Sequence, residues 1–587
     1  MIRKLIRQML AAQVFSALAV SICLLVDNIM ISRFLGSNAT AAYGLSNPLL
    51  LSIGALGSLL AAGVQVACSK SLGSGSQEET NSGYSSAVAV GGGVSVLFMV
   101  VVLVFRSPLA RLMGAGDGGE LFHMTRDYLA GFSIGAPGSM GALVLVPFLQ
   151  MAGQSTLLIV GVLSMAVADI GLDLLSIFVF NGGMFGMGLA SSLSYYVAMA
   201  IVGVYFLSKR CVFRFSPKLI SLRKIRELIT SGIPAGFNMA ASVLMIFLLN
   251  RLLMWLSGGG SLAVAAYAVI STLGNAANCI TTGIGGVSLT LSGIFYNEED
   301  RSSLRLLIRS LCGYSVILGL FMGALLLIFA PMLVGLFLPE TGKVQSMAIL
   351  GLRLFAAGLI PCCINNALKN AYQATGRVLL TEIISLLEGA GLPILSAFIF
   401  TRFMGVSGAW LGFACGELLM LLLTVVLIRV KTGRFPWQED ACLLLKEDFG
   451  VAPDHLLEMD IHSMAEVTDC AKAAESFCLR HGQSARISNH IALCIEEMAG
   501  NTIQHGFARD NKPHDLSVRL LHKTDYWVLR FRDDCGAFDP VHYVPDSGHD
   551  ALGIRLVLAF AEKANYTYAL NMNNLSIRIP CDVQENA

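Results

Sequence analysis

Stretches of about twenty predominantly apolar residues, each long enough to cross a bilayer as a helix, follow one another almost without pause up to residue 436 of the 587-residue chain. In hydrocarbon every backbone amide must find its partner inside its own segment, so such a chain has few options besides a bundle of spanning helices. Twelve segments fit, near 8–32, 46–69, 84–105, 128–151, 156–180, 187–208, 228–256, 262–292, 304–330, 346–373, 380–400 and 406–428. Charge divides the chain at the same point. Residues 1–436 hold 27 Lys or Arg and 16 Asp or Glu, a net of +11, whereas residues 437–587 hold 13 and 23, a net of −10. Nine of the ten His also lie after residue 437. The first part is too sparsely charged for a soluble domain, and the second has the charge density of one. The expected fold class is an all-α polytopic membrane protein of twelve helices in two six-helix halves, with a C-terminal α+β sandwich domain. The expected boundaries are 1–435 for the membrane domain, 436–450 for a linker and 451–587 for the soluble domain.

The connection after the sixth segment carries Lys209, Arg210, Arg214, Lys218, Arg223, Lys224 and Arg226, which places it in the cytoplasm by the positive-inside rule. Arg3, Lys4 and Arg7 at the start and Arg429, Lys431 and Arg434 at the exit agree in parity. A multi-pass protein of the cell membrane with both termini cytoplasmic is expected. The basic N-terminus reads as the start of the first spanning helix rather than as a cleaved leader. The 14 Cys show no metal-ligand spacing and read as reduced, small apolar residues. The halves echo each other: Leu175-Ser176-Ile177-Phe178-Val179-Phe180 returns as Leu395-Ser396-Ala397-Phe398-Ile399-Phe400, each followed at equal spacing by Met184 and Gly188, or Met404 and Gly408. Two like-oriented halves enclose a central cavity suited to alternating access.

Ionisable groups inside spanning segments are costly and mark functional candidates. Asp27 lies late in the first segment, and Asp169 and Asp173 lie one helical turn apart in the fifth. Two carboxylates that close in a low dielectric repel, so one takes up a proton or binds a cation, which is the chemistry of an ion-coupled carrier. Structural pairing with Arg251 or Lys369, or exposure near a helix end, is the plainer alternative. Asp27 within Val26-Asp27-Asn28, then Leu35-Gly36, Ala41-Ala42-Tyr43-Gly44, Asn47-Pro48, Gly186-Met187-Gly188-Leu189-Ala190 and Gly232-Ile233-Pro234, resembles the multidrug and toxic compound extrusion (MATE) transporters over residues 1–430. The resemblance implies cation coupling, by H⁺ or Na⁺, through Asp27 and Asp173. Asp169 takes a position that is often Asn in that family. It also implies export of small amphipathic, often cationic organic substrates from a lipid bilayer. The acid that some members carry in the seventh helix is replaced near Ser242, and the tenth segment holds none, so coupling is expected in the N-terminal half.

In the soluble part, strands are expected near 455–461, 516–520, 527–531, 565–570 and 574–580, and helices near 463–481, 486–506 and 551–563. Glu497, Asn501 and His505 fall in one i, i+4, i+8 row, with Ile491, Ile495 and Met498 on the core face. An amide oxygen beside a carboxylate can hold hydrated Mg²⁺ against a nucleotide phosphate. Asp533-Asp534-Cys535-Gly536-Ala537-Phe538-Asp539-Pro540 follows a strand end, and Gly548 and Gly553 precede and open a helix, whose N-terminal amides favour phosphate. Together these resemble the anti-sigma-factor serine kinases among the GHKL ATPases, over residues 450–582. That resemblance implies ATP with Mg²⁺ as cofactors, Asn501 as magnesium ligand, Glu497 as catalytic base, Asp534 and Gly536 as adenine contacts and Gly553 as a phosphate contact. Phe538 stands where many relatives have Gly. A regulatory protein partner of the anti-sigma-antagonist type is implied as well, and no nucleic acid. The expected function is a cation-coupled antiporter with a cytoplasmic ATP-binding regulatory domain, with serine/threonine kinase activity left open. A lipid-linked glycan flippase and a membrane-bound kinase with a sensory membrane part are the alternatives.

Overall fold

A computed structural model describes residues 2–581 apart from 75, 114, 116–117, 209–210, 256–259, 338–341, 439, 447–448, 510–511 and 544–551. Lys209, Arg210 and Gly548 therefore lie outside the described residues. The first half comprises α1 (Ile2–Met30), α2 (Ser37–Gly73), α3 (Gln77–Leu112), α4 (Glu120–Ser133), α5 (Ala136–Met151), α6 (Ser155–Phe178) and α7 (Gly183–Leu207). The second comprises α8 (Leu222–Trp255), α9 (Gly260–Ala277), α10 (Cys279–Asn297), α11 (Arg301–Gly335), α12 (Lys343–Ala357), α13 (Leu359–Ala374), α14 (Val378–Leu386), α15 (Leu392–Met404) and α16 (Val406–Thr432).

All twelve expected segments fall on helices, but the count of spans differs. Among the described residues nine helices are long and apolar enough to cross a membrane, or eleven if α4 with α5, bent by 45°, and α12 with α13, bent by 46°, each form one span. The remaining expected segment is α8, whose stretch from Ile233 to Asn250 is predominantly apolar and carries no charged residue. The echoed glycines have a packing reason. A Cβ on Gly188 would lie 2.7 Å from the Tyr128 carbonyl of α4, and one on Gly408 would lie 2.2 Å from the Phe400 carbonyl of α15. Each marks a crossing where only glycine lets two backbones approach.

The C-terminal part folds as β1 (Leu456–Ile461), α17 (Met464–Arg480), α18 (Ala485–Asn501), β2 (Leu516–His522), β3 (Tyr526–Asp533), α19 (Leu552–Phe560), β4 (Lys563–Ala569) and β5 (Met572–Pro580). The five strands pair antiparallel in the order β1-β2-β3-β5-β4. Period-two alternation sends Leu516, Val518, Leu520, Trp527, Leu529 and Phe531 into a core shared with Ile491, Ile495 and Met498 of α18. Ser463 and Ser484 cap α17 and α18 by accepting from Glu466 N and Ile487 N, satisfying amides that no helix turn can reach.

The other sheet face is not left to water. Arg519 and Arg530 stand directly opposite each other on β2 and β3, an arrangement that like charges resist unless an anion intervenes. The anion is the acidic turn between α10 and α11. Arg519 Nη1 meets Asp300 Oδ2 at 2.5 Å, Arg532 pairs with Glu298, Lys523 with Glu299, and Arg530 donates to the Glu298 carbonyl. At the far end of the sheet the β4–β5 turn reaches the first half: Leu570 N donates to the Met151 carbonyl and Asn571 Nδ2 to the Gly153 carbonyl, both at 2.8 Å. The segment after α16 is docked too, with Tyr372 Oη donating to the Cys442 carbonyl and Arg377 Nη1 to that of Leu443.

Candidate functional site

Two sites carry the chemistry, one within the helices and one in the soluble domain. In the first half α1 packs along α6 and brings Asp27, Asp169 and Asp173 together; they are 6%, 4% and 0% exposed. The Asp27 carboxyl lies close enough to those of Asp169 and Asp173 to interact electrostatically, and acids grouped in this way favour a bound proton or cation. Asp27 Oδ1, Asp169 Oδ1 and both oxygens of Asp173 are buried without a protein hydrogen-bond partner among the described residues. Neither basic residue considered from the sequence neutralises them: Lys369 is committed to Glu388 at 2.7 Å, and Arg251 is exposed near the end of α8. Ser194 and Cys23 lie beside Asp169, so it is better solvated than Asp173.

The second half holds a further buried acidic cluster, which the sequence reading, with coupling expected in the first half, left out. Glu388, in a π-helical turn at Leu387–Gly391, and Glu417 of α16 are both buried. Lys369 and Asn366 donate to Glu388, while Asn365 donates to Glu417 at 2.9 Å. They line a cavity of about 270 Å³ walled by Tyr267, Phe355, Trp410 and Phe413. Two acidic groups, one ammonium and the Asn365 and Asn366 amides make it a polar chamber with aromatic walls. The signal available was the pair of intramembrane acids themselves, Glu388 and Glu417.

In the soluble domain a cavity of about 370 Å³ is lined by Glu497, Asn501, His505, Arg509, Asp533, Gly536, Phe538, Gly553, Tyr566 and Asn573, among others. The i, i+4, i+8 row holds, although the helix passes into a π turn at Thr502–Gly506 just after Asn501. A Cβ on Gly553 would fall 1.9 Å from Glu497 Oε2, so a larger residue at the α19 N-terminus would displace that carboxylate. Asp534 is a correction: it does not line the cavity and instead accepts from Asp515 N at 2.9 Å, with His514 Nδ1 at 3.0 Å. Its neighbour Asp533 continues the inward alternation of β3 and points into the pocket. Asp533 Oδ1 accepts from Asn573 Nδ2 at 2.7 Å and Cys535 N at 3.0 Å. Burial pushes the Asp533 carboxyl above its ordinary range, against the pull of these donors. Asn573 also donates to the Gly536 carbonyl at 3.2 Å and accepts from Tyr566 Oη at 2.6 Å, fixing the loop that carries Gly536. Arg509 and Asn573 were not picked out from the sequence.

The MatE family pattern matches residues 13–175 and 234–399, more than half of the chain. The chain belongs to the MatE family. The match takes in Asp27, Asp169, Asp173 and Glu388 and stops before the soluble domain. The chain is 27% identical over 406 residues to a protein named "Multidrug export protein MepA" from Staphylococcus aureus, covering 68% of this chain and 87% of that one. It is 26% identical over 417 residues to the protein of that name from Staphylococcus saprophyticus, covering 69% and 89%. Among solved structures, a MATE crystal structure in the straight conformation superposes with a TM-score of 0.67 at 19% identity, over 72% of this chain and 94% of that one. A multidrug resistance MATE transporter in an outward-facing conformation gives 0.66 at 20% identity over the same shares. At that identity the likeness concerns the fold. This MatE-family chain is thus a multi-pass membrane transporter carrying an extra C-terminal sheet domain.

Proposed function

We propose that this MatE-family chain is a cation-coupled exporter of amphipathic organic cations whose soluble domain binds Mg²⁺–ATP and regulates transport. The observation that carries the reading is the buried Asp27, Asp169 and Asp173 cluster between α1 and α6. Three carboxylates with too few protein donors need protons or a metal cation, and exchanging that cation changes the energy of the site by several kcal/mol. H⁺ and Na⁺ both meet the need. The aromatic chamber around Glu388 and Glu417 suits a hydrophobic cation, since ring faces attract one. The relatives named for multidrug export agree with that substrate class. The basic loop residues Arg214, Lys218, Arg223 and Lys224 argue for a cytoplasmic position of the soluble domain. The N-terminus lies at the same end, with Lys4 Nζ 3.8 Å from Asp534 Oδ2.

The nucleotide reading rests on residues that fit the group. Asp533 offers a buried acceptor for an adenine amino group, Asn501 beside Glu497 can hold Mg²⁺, and Gly553 opens a helix at the pocket. When bound, the magnesium nucleotide would supply a polyphosphate charge that Arg509 and the α19 amides are placed to meet. Because the soluble domain touches both the Met151–Gly153 turn of one half and the Glu298–Asp300 turn of the other, a nucleotide-dependent change in its docking would act on relative motion of the halves. Asp533→Asn should weaken nucleotide binding to the full-length protein by on the order of 10- to 100-fold, the worth of a charged hydrogen bond of ~1.5–3 kcal/mol. Asp534→Asn should change it only a few-fold. Fluorescent nucleotide titration in detergent separates these outcomes, and a wild-type protein that binds no nucleotide removes the regulatory reading. Vesicle uptake driven by a proton or sodium gradient tests the carrier.

A further inference from the structure

Nine of the ten histidines lie in the C-terminal part of the chain, and three of them converge at one end of its sheet. His455 follows the linker, His481 caps the end of α17, and His522 ends β2. One ring nitrogen from each lies within 4.8 Å of the other two. His455 Nδ1 and His522 Nδ1 face each other at 3.0 Å, a gap with room for one proton or one cation but not for two protons. His481 has its own orientation fixed, because its Nδ1 stands 2.9 Å from the Phe477 carbonyl. A nitrogen facing a carbonyl carries the proton, so Nε2 of His481 keeps the lone pair. Metal-bound imidazoles are held in this way, by donation of the other ring nitrogen to a backbone carbonyl. The rings are rigidly seated: His522 stacks on Trp527 with centroids 4.3 Å apart, and His481 meets both edge-on.

We propose that His455, His481 and His522 form a three-nitrogen site for a divalent transition metal ion of the zinc class, where the chain enters the soluble domain. Zn–N bonds of about 2.0–2.1 Å in a tetrahedron set nitrogens ~3.3 Å apart, so closure from the observed spacing asks for small ring movements only. Imidazole ligands select Zn²⁺, Co²⁺, Ni²⁺ or Cu²⁺ over Mg²⁺ or Ca²⁺, which prefer oxygen. The fourth position is open to water or an exogenous ligand. The ion would tie His455, and with it the end of the linker, to β2. The residue just after β2, Lys523, already pairs with Glu299 of the α10–α11 turn, so metal occupancy bears on the docking contact.

The test uses full-length protein in detergent, stripped with a chelator and titrated with Co²⁺ while visible absorption is followed, with Zn²⁺ as competitor. One equivalent should bind with the d–d spectrum of nitrogen ligation, be displaced by Zn²⁺, and raise the melting temperature. Loss of an orienting group alone costs 10- to 100-fold in metal affinity, so His481→Gln and His522→Phe should each lose on the order of 100-fold or more. His522→Phe preserves a ring against Trp527, and its melting temperature without metal reports whether the fold survives. His542→Gln, at an exposed histidine elsewhere in the domain, should bind as wild type. If stripped wild type takes up no Co²⁺, or if the His481 and His522 variants bind it as well as wild type, the cluster is a packed stack of rings and the proposal falls.

Discussion

Asp27→Asn and Asp173→Asn are each expected to cut gradient-driven uptake of an organic cation into proteoliposomes by on the order of 100-fold, ~2.7 kcal/mol of lost driving interaction, while raising the melting temperature of the purified protein. Both effects have one cause. Two unit charges 4 Å apart repel by about 4 kcal/mol at an effective dielectric of 20, and each buried acid costs a further ~2.5–3.5 kcal/mol on insertion. The cluster is therefore held against its own repulsion until a proton or metal cation arrives. Asparagine removes the charge and offers a donor to its neighbours, which relaxes the fold and leaves the incoming ion without its ligand. Turning a two-state carrier from 1:99 to 99:1 takes about 5.5 kcal/mol of differential binding, which the proposed coupling asks this cluster to supply. Asp169→Asn should keep much of the transport, because Ser194 and Cys23 lie beside that carboxylate and Asp173, with neither oxygen partnered, carries more of the strain. Wild-type uptake by both the Asp27 and Asp173 variants would end the coupling account, whatever their melting temperatures.

What could be read in advance was what spacing on a single element decides. Asp169 and Asp173 had to share a helix face, and Glu497, Asn501 and His505 had to form one row, because 3.6 residues per turn leaves no alternative. The period-two alternation of strands decides as much. Trp527, Leu529 and Phe531 point inward, so Asp533 and not Asp534 had to continue that face of β3. By the opposite parity Arg530 and Arg532 had to share the other face with Arg519, across from Arg530 on β2. Contacts between distant elements were out of reach. Lys369 meets Glu388 because α13 packs beside the α14 and π-turn segment, and nothing local to either residue requires it. The twelve segments followed hydropathy, and each falls on helix, with α4–α5 and α12–α13 bent by 45° and 46° at breaks that hydropathy does not mark. Nothing local to the acidic turn Glu298–Glu299–Asp300 marks it as a docking contact, because its basic partners lie more than two hundred residues downstream.

That turn sets the second large effect. Arg519→Met should release the soluble domain from the helices, with the linker cleaved on the order of 100-fold faster in limited proteolysis, since leaving a buried charge without its partner costs about 3–5 kcal/mol. Asp300 is 0% exposed and caps α11 through Ser303 N at 2.8 Å. After the substitution its nearest remaining cation is Arg532 Nη1 at 3.7 Å. Adding Asp300→Asn to Arg519→Met should restore most of the protection, because the amide keeps the cap while the stranded charge is gone. A destabilised sheet domain could not be rescued by a change in the membrane part, so the double variant distinguishes a broken interface from a broken fold. The pH dependence has a fixed sign. Burial alone would lift the Asp300 carboxyl, but Arg519, Arg532 and the Ser303 donors hold it below the usual carboxylate range. A depressed value in the docked state contributes stability that is present above the free Asp value of about 3.9 and lost as pH falls through the docked value. Docking through this group should therefore survive mild acid and fail only below the ordinary carboxylate range. Because the same domain also holds the Met151–Gly153 turn of the other half, freeing it at Asp300 should leave the two halves joined only through the membrane. Faster transport by Arg519→Met than by wild type would then identify the docked domain as a brake, and slower transport would identify it as a required brace.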